Sequence, residues 1–368
     1  MNPLRSARAA ALETRVRLAA LRAPSMAEPP REPRSIFVLR NNDIGDLLIV
    51  TPLFEALRRR FPEARIAAGV GDWNREVLRG NPHLSEVLPV NAPWFNKYRA
   101  GSPAAYLRGS PEVRELAARR FEIGIDVLGS AWGSLLLMRA GIPYRMGVRG
   151  YAGGHSAAQA TVPFDPGLQV GRAALRFAEL LGASDLPESR PRLFLTPEET
   201  AEAQRAWSAA EGGRRRRRIV VGPGGGLPEK CWPAASYAEL VSGLADEGLS
   251  VLILGGPREE AVVARVAAAS PRAWSLPEPP PLRQVFALAV AADMIVCNSS
   301  MLMHAAAAFA KPTLVLLGES FLSASRHQAQ WGYPGICRSL GREPGAQPRV
   351  STPGEALAAL RQEMERWT

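Results

Sequence analysis

The feature that most limits what this chain can fold into is a regular alternation of short apolar runs with longer stretches of helical period. Residues 36–39, 65–70 and 123–127 are short and apolar, while residues 45–60 and the region around Leu135 recur at helix spacing. The pattern returns further on. Residues 218–221, 251–254, 294–296 and 313–317 read as strands, and residues 196–210, 234–245, 259–269, 282–291 and 301–310 as helices. Buried strands alternating with helices build β-α-β units, and these close into a parallel sheet. The alternation therefore predicts an α/β chain with two doubly wound domains.

A length of 368 residues suits two domains, each able to bury its own core. Residues 186–192, with Pro187 and Pro191, read as the linker. Residues 1–34 form a basic N-terminal tail, 35–185 a first Rossmann-like domain, 186–345 a second, and 346–368 a C-terminal segment holding a helix over 353–367. In the tail Leu4, Ala7, Ala11, Leu18 and Leu21 recur at helical intervals between Arg5, Arg8, Arg15, Arg17 and Arg22. Such a segment can lie on an anionic membrane face, and equally reads as a disordered tail. The ordered pattern begins at Ser35, so Met26 is a second candidate start.

Hydrophobic residues make up 46% and charged residues 22%, which excludes a disordered, collagen-like or coiled-coil chain. The apolar stretches 286–296 and 301–310 are broken by Asp293 and bounded by Lys311, short of the roughly 18 residues a membrane span needs. Cys231, Cys297 and Cys337 are scattered, and so are His83, His155, His304 and His327. That argues against a disulfide framework or a metal site and for a reducing cytoplasm. A net charge of +10 favours anionic partners: phosphorylated small molecules, anionic lipid or nucleic acid. The arginine run 214–218 has no interleaved aromatic residues for base stacking, and reads as a solvated approach to a strand. No nucleic-acid partner is expected.

Three strand-to-helix loops carry residues suited to chemistry. After the first strand come Asp43, Gly45 and Asp46; Asp46, at the carboxyl end of a strand, is a candidate general base, and equally either aspartate caps the next helix. The second domain opens with Gly224, Gly225, Gly226 and Lys230, where backbone N–H groups and a cation can hold phosphate. Pro233 then marks a helix start. The third loop holds Asn298, Ser299 and Ser300, which can cap a helix or bind sugar and phosphate oxygens. His304, inside that helix, reads as a packed residue or a ligand contact. Glu260, beside Glu259, can accept hydrogen bonds from ribose hydroxyls or serve as a cap. The irregular zones 91–110 and 150–167 are where substrate contact is expected.

Taken in this order, the loops resemble glycosyltransferase family 9, the ADP-heptose:lipopolysaccharide heptosyltransferases, over residues 35–318. The resemblance rests on Leu39-Arg40, Ile44-Gly45-Asp46, Thr51-Pro52, Ala56-Leu57-Arg58 and Phe61-Pro62-Glu63-Ala64-Arg65-Ile66. Further landmarks are Phe121 to Asp126, Arg145-Met146-Gly147, Lys230-Cys231-Trp232-Pro233, Leu254-Gly255-Gly256 and the run from Asn298 through His304 to Lys311-Pro312. It implies a GT-B architecture, with two Rossmann-like domains facing a cleft. The acceptor would sit mainly on the first and the nucleotide sugar on the second, and the C-terminal helix would pack back on the first domain. It also implies inverting, metal-independent chemistry without a cofactor. Asp46 would deprotonate the acceptor hydroxyl, and Lys230 with the glycine loop would neutralise the leaving diphosphate.

The donor-sugar loop departs from the family. Ser299 stands at the position of an acidic residue associated with the donor sugar, and Met301 at that of a glycine. The donor differs, or the site is rebuilt by other residues, or donor binding is lost. The expected function is transfer of heptose or a related sugar from an ADP-linked nucleotide diphosphate to a lipopolysaccharide core or another cell-envelope glycan. The expected place is the cytoplasm, with peripheral contact on the anionic inner membrane. The competing readings are a non-catalytic glycan-binding or scaffold protein and a sugar-nucleotide epimerase, which would show more acid/base residues.

Overall fold

The computed structural model describes residues 3–212 and 216–367, with side chains from residue 10 onward in the first helix. Arg214 and Arg215 of the arginine run, and the side chains of Arg5 and Arg8, lie outside the described residues. The chain divides into two compact units, Met1–Arg192 and Leu193–Thr368. The boundary falls at the end of the expected linker, so residues 186–192 belong to the first unit. Arg192 is held there by Glu55 and by its backbone N–H donating to Thr51 Oγ1 at 2.7 Å.

The first unit carries β1 (Ser35–Leu39), β2 (Arg65–Val70), β3 (Glu86–Pro89), β4 (Ile123–Asp126), β5 (Tyr144–Arg149) and β6 (Ala160–Pro163). The second carries β7 (Arg218–Gly222), β8 (Ser250–Ile253), β9 (Ala273–Ser275), β10 (Met294–Asn298), β11 (Thr313–Leu316) and β12 (Cys337–Leu340). All pairings within each sheet are parallel. The spatial orders are β3-β2-β1-β4-β5-β6 and β12-β11-β10-β7-β8-β9. Counted from its own first strand, each sheet reads 3-2-1-4-5-6, the doubly wound order of dinucleotide-binding folds. In such sheets ligands bind beyond the carboxyl ends of the strands where the order reverses. Here those strands are β1 beside β4 and β7 beside β10.

The expected helix over 45–60 is broken into Ile44–Leu48 and Pro52–Arg60, because Pro52 lacks the N–H needed to continue and instead starts a new helix. Both halves bury Leu47, Leu48, Leu53, Phe54 and Leu57 completely. The zone 91–110, expected to be irregular, contains the helix Pro103–Gly109, started by Ser102 accepting from Ala105 N–H. Likewise, the zone 150–167 contains β6.

The N-terminal segment is helical over Pro3–Ala20 and is docked, which corrects the disordered-tail reading. Leu12, Val16, Ala19 and Ala20 pack against Ala131, Met138 and Ala157. The Glu13 carboxylate accepts from Gly154 N–H at 3.0 Å and from Ser156 Oγ. Order therefore begins well before Ser35. Buried Arg145 reaches back to this segment, donating to Pro24 O at 2.7 Å. The C-terminal helix Pro353–Arg366 departs from the resemblance: it is built into the second unit. Its Ala356, Ala359 and Leu360 join the core formed by Tyr237, Leu240, Val241 and Leu244, and Arg361 pairs with Glu247. No helix among the described residues is long and apolar enough to cross a membrane.

Candidate functional site

In the first unit, β1 ends at Leu39 beside Asp126 of β4. The chain then turns through Arg40 to Asp43 into the short helix Ile44–Leu48. The Arg40 side chain is 6% exposed; its Nε donates to Asp46 O at 3.0 Å and a terminal nitrogen to Asp46 Oδ1 at 3.3 Å. Asp46, with a third of its side chain exposed, is thus held through Oδ1 by the buried arginine. Asp43 occupies the cap position, but its side chain makes no capping bond and instead pairs with Lys97 at 3.4 Å. The Asp126 carboxyl is buried at the neighbouring strand end. Burial pushes it up to about 6, against the opposing pull of backbone N–H groups of Ser130 and Gly129 and the charge of Arg40.

The zone expected to touch substrate is pinned to this turn. Asn42 donates to Phe95 O at 2.9 Å, and Asn42 O accepts from Trp73 Nε1 at 2.8 Å and Asn74 Nδ2 at 3.0 Å. Trp73 stacks on Tyr98, ring centres 5.3 Å apart. Around the same turn Asn41 Nδ2, Asn42 Oδ1, Asp43 Oδ1 and Asn74 Oδ1 are buried and make no hydrogen bond among the described residues.

In the second unit, β7 ends at Gly222 beside Cys297 of β10, and Gly224, Gly225 and Gly226 follow. Lys230 closes a single 3-10 turn, Pro228–Lys230, and is exposed; the helix proper, Ala234–Asp246, starts after Pro233. Asn298 organises this region. Its Oδ1 accepts from Trp232 N–H at 2.8 Å and Tyr237 OH at 2.9 Å, and its Nδ2 donates to Pro223 O at 2.8 Å and Gly224 O at 3.0 Å. With 1% exposure it is a brace for the glycine loop, not a ligand contact. The Lys230 turn is pressed against the loop after β11, where Gly318 N–H donates to Lys230 O at 3.3 Å. A Cβ on Gly318 would lie 2.5 Å from Cys231 O, so only glycine permits that approach.

Glu260 is exposed, whereas Glu259 lies against this loop. Its Oε2 accepts from Gly256 N–H at 2.7 Å, and a Cβ on Gly224 would meet the Glu259 carboxyl carbon at 2.2 Å. Of the two, Glu259 is the carboxylate that the loop geometry presents.

The third loop splits into two environments. Ser300 takes the cap position of helix Met301–Ala308 without a side-chain capping bond. Ser299 Oγ lies 2.8 Å from His327 Nε2, and His327 Nδ1 lies 2.8 Å from Ser339 Oγ. His304 is buried and shares its Nδ1 with Tyr333 OH at 2.6 Å. Burial drives the His304 ring down to about 3 and His327 to about 4, the latter helped by the nearby Lys230 charge, so both stay neutral. His304 is a packed residue, while Ser299 and Ser300 remain half-buried at the strand end. Sequence reading chose Glu260 over its neighbour Glu259, gave His327 no role and did not single out Tyr333.

Among the described residues, no group of three or more His, Cys, Asp or Glu is placed to hold a metal ion. A cavity of about 660 Å³ lined by Arg216, Arg217, Lys311 and Trp367 sits at the amino ends of the second sheet and contains none of the expected site residues.

The sequence model of glycosyltransferase family 9 (heptosyltransferase) matches residues 112–326. The chain is 28% identical over 306 residues to the lipopolysaccharide heptosyltransferase 2 of Escherichia coli K12, covering 77% of this chain and 83% of that protein. Its fold is similar to a family 9 glycosyl transferase from Veillonella parvula, at 18% identity and a TM-score of 0.76, with 93% of this chain and 100% of the other covered. It is similar also to the E. coli ADP-heptose lipopolysaccharide heptosyltransferase II, at 24% identity and a TM-score of 0.72, with 90% and 99% covered.

Proposed function

The chain belongs to glycosyltransferase family 9, and on that premise we propose that it transfers heptose or a related sugar from an ADP-linked donor to a lipopolysaccharide core or similar lipid-linked glycan, with inversion and without a metal ion. The observation that carries this reading is Asp46: a carboxylate about a third exposed at the switch-point strand end, fixed through Oδ1 by a buried arginine. Oδ2 then takes the proton of the acceptor hydroxyl as its oxygen bonds to the anomeric carbon. The bond from that carbon to the diphosphate oxygen breaks on the opposite face, and the nucleoside diphosphate leaves with the electron pair. On the second unit the glycine-loop N–H groups and Lys230 supply donors and positive charge for that leaving group. Glu259, set against Gly224, suits the ribose hydroxyls.

Membrane contact fits the first helix and the turn after it, where Arg15, Arg17, Leu18, Leu21 and Arg22 are exposed away from the residues that dock the segment. The test is calorimetry with ADP, UDP, GDP, CDP and their sugar conjugates, with and without magnesium, followed by mass analysis of a glycan acceptor. Equal binding of an ADP-sugar in both conditions, with mass gain on the acceptor, supports the proposal. Strict magnesium dependence removes its metal-independent part, and folded protein that binds none of the nucleotides moves the reading to a non-catalytic scaffold.

A further inference from the structure

Arg40 is a cation with almost no access to water. Its side chain is 6% exposed, and it donates through Nε to Asp46 O and through a terminal nitrogen to Asp46 Oδ1. A buried guanidinium has to be balanced by negative charge, because the interior does not solvate it. In the resting protein Asp46 supplies that charge. During the proposed transfer it cannot, since Asp46 takes the acceptor proton and becomes neutral while Arg40 stays charged. With no other anion nearby, the arginine that holds the base would also oppose its protonation.

Asp126 stands behind the pair. On β4 it lies opposite Leu39, the residue before Arg40, and its carboxyl feels the Arg40 charge. No hydrogen bond joins the two among the described residues, so this influence acts through space. The carboxylate is tied instead to its own loop: Oδ1 accepts from Leu128 N–H at 3.2 Å, and Oδ2 from Ser130 N–H at 2.7 Å and Ser130 Oγ at 3.3 Å. Ser130 also caps helix Ala131–Arg139, accepting from Gly133 N–H at 2.9 Å, and a Cβ on Gly133 would collide with Asp126 Oδ2. The positive end of that helix is therefore pressed against the carboxylate. All of these partners donate, as an ionised carboxylate requires. Of the groups that β1, the loop 127–130 and this helix bring to Asp126, Arg40 is the charged side chain. At 2% exposure Asp126 itself touches no substrate.

We propose that Asp126 is a positioning residue for the base: its carboxylate keeps Arg40 balanced while Asp46 changes charge, so that Arg40 orients Asp46 without opposing the proton transfer. The assignment rests on the transferase reading above and deepens it. Three charged groups then share the switch point between β1 and β4, and they divide the work by depth. Asp46 takes the proton, Arg40 aligns it, and Asp126 supplies a counter-charge that survives the step.

The experiment measures kcat and KM for transfer from ADP-heptose to a lipopolysaccharide-core acceptor between pH 5 and pH 8.5, on wild type and Asp126→Asn, whose amide oxygen can keep the Ser130 bond without the charge. Burial raises the Asp126 carboxyl to about 6, so wild type carries the counter-charge at pH 7.5 and loses it at pH 5. At pH 7.5 the variant should show kcat lowered roughly five- to twentyfold, with KM for both substrates within about twofold of wild type. That advantage of wild type should shrink toward one as pH falls through about 6, because both proteins then hold a neutral side chain at this position. A ratio that stays constant with pH overturns the proposal, since a merely structural aspartate gives that result. A loss confined to KM overturns it as well. Asp126→Ser, read in the same way, serves if Asp126→Asn does not fold, and wild-type kcat that holds level from pH 7.5 to pH 5 overturns the proposal without any variant. Wild type that transfers nothing at any pH sinks the transferase reading and this assignment together; a constant ratio sinks this assignment alone.

Discussion

The two strand-end loops occupy equivalent places in sheets of identical order, yet they are finished differently. In the second unit Asn298 meets all four of its neighbours' polar groups, so the glycine loop is shaped before any ligand arrives. In the first unit the turn around Asn42 leaves four buried polar atoms without a bond among the described residues, beside a carboxylate held by one oxygen only. Topology thus sets where a site falls, and side-chain pairing sets how much of it is already spoken for. A preformed loop suits a diphosphate, whose charge and shape are constant. A turn with unspent donors and acceptors suits a glycan with many hydroxyls.

The sharpest way to break this contrast is Asp46→Asn. Turnover should fall about 10²- to 10⁴-fold while ADP affinity holds, because the proposed mechanism places the base on the first unit and the nucleotide on the second. Unchanged turnover removes Asp46 as the base. Next comes paired loss of the two asparagines, followed by chemical denaturation. Asn298→Ala strands the Trp232 N–H, Tyr237 OH and two carbonyls and should cost about 2–4 kcal/mol, whereas Asn42→Ala removes one donated bond and should cost about 1 kcal/mol. Equal costs would mean that the two loops are equally finished. Lys230→Ala should weaken ADP binding roughly tenfold without touching acceptor affinity, as befits an exposed cation on a preformed loop. Retained affinity puts the phosphate site elsewhere.

The smallest effect is in pH. His304 and His327 are held neutral in the fold, at about 3 and about 4, against 6.5 for a free ring. Below 6.5 the unfolded chain takes protons that the native chain refuses, so this contribution to stability is lost as pH falls from 6.5 toward 4. Asp126 of the first unit runs the opposite way. Its carboxyl, raised to about 6 from 3.8, contributes stability that is lost as pH rises through about 6. Denaturation midpoints between pH 4 and 7.5 should therefore fall less steeply on the acid side in His327→Gln than in wild type. Parallel curves would show that His327 is not a silent neutral group.

What the sequence made legible follows from burial. The interior strands β1, β4, β7, β8, β10 and β11 are buried at every residue and read as short, mostly apolar runs whose polar residues, Asp126 and Arg218 among them, stand only at the ends. The edge strands β3, β6, β9 and β12 are mostly half-buried and short, and Glu86 and Arg338 dilute the apolar signal of β3 and β12. Interior β5 escaped for another reason: buried Arg145 interrupts its apolar run, and only the structure shows that guanidinium satisfied by four carbonyls, of Pro24, Ile142, Pro143 and Ala157. At the site, the loops that follow interior strands were found, and Asp46, Lys230 and the glycines with them. The partners that decide roles were not. His327 lies 28 residues beyond Ser299 on a separate helix, and nothing in spacing predicts their meeting. The exchange of Glu260 for Glu259 is a matter of one residue's rotation at a helix start, finer than any periodicity resolves.

The docking of the first helix has a consequence for how the chain is made. Glu13 waits for partners 141 and 143 residues later, and Pro24 for Arg145. While the chain emerges from the ribosome amino end first, its opening helix has no place to bind until the segment around residue 156 has left the exit tunnel. This early helix is therefore among the last parts of its unit to settle, and completion of that unit is a long-range, slow closure rather than a local one.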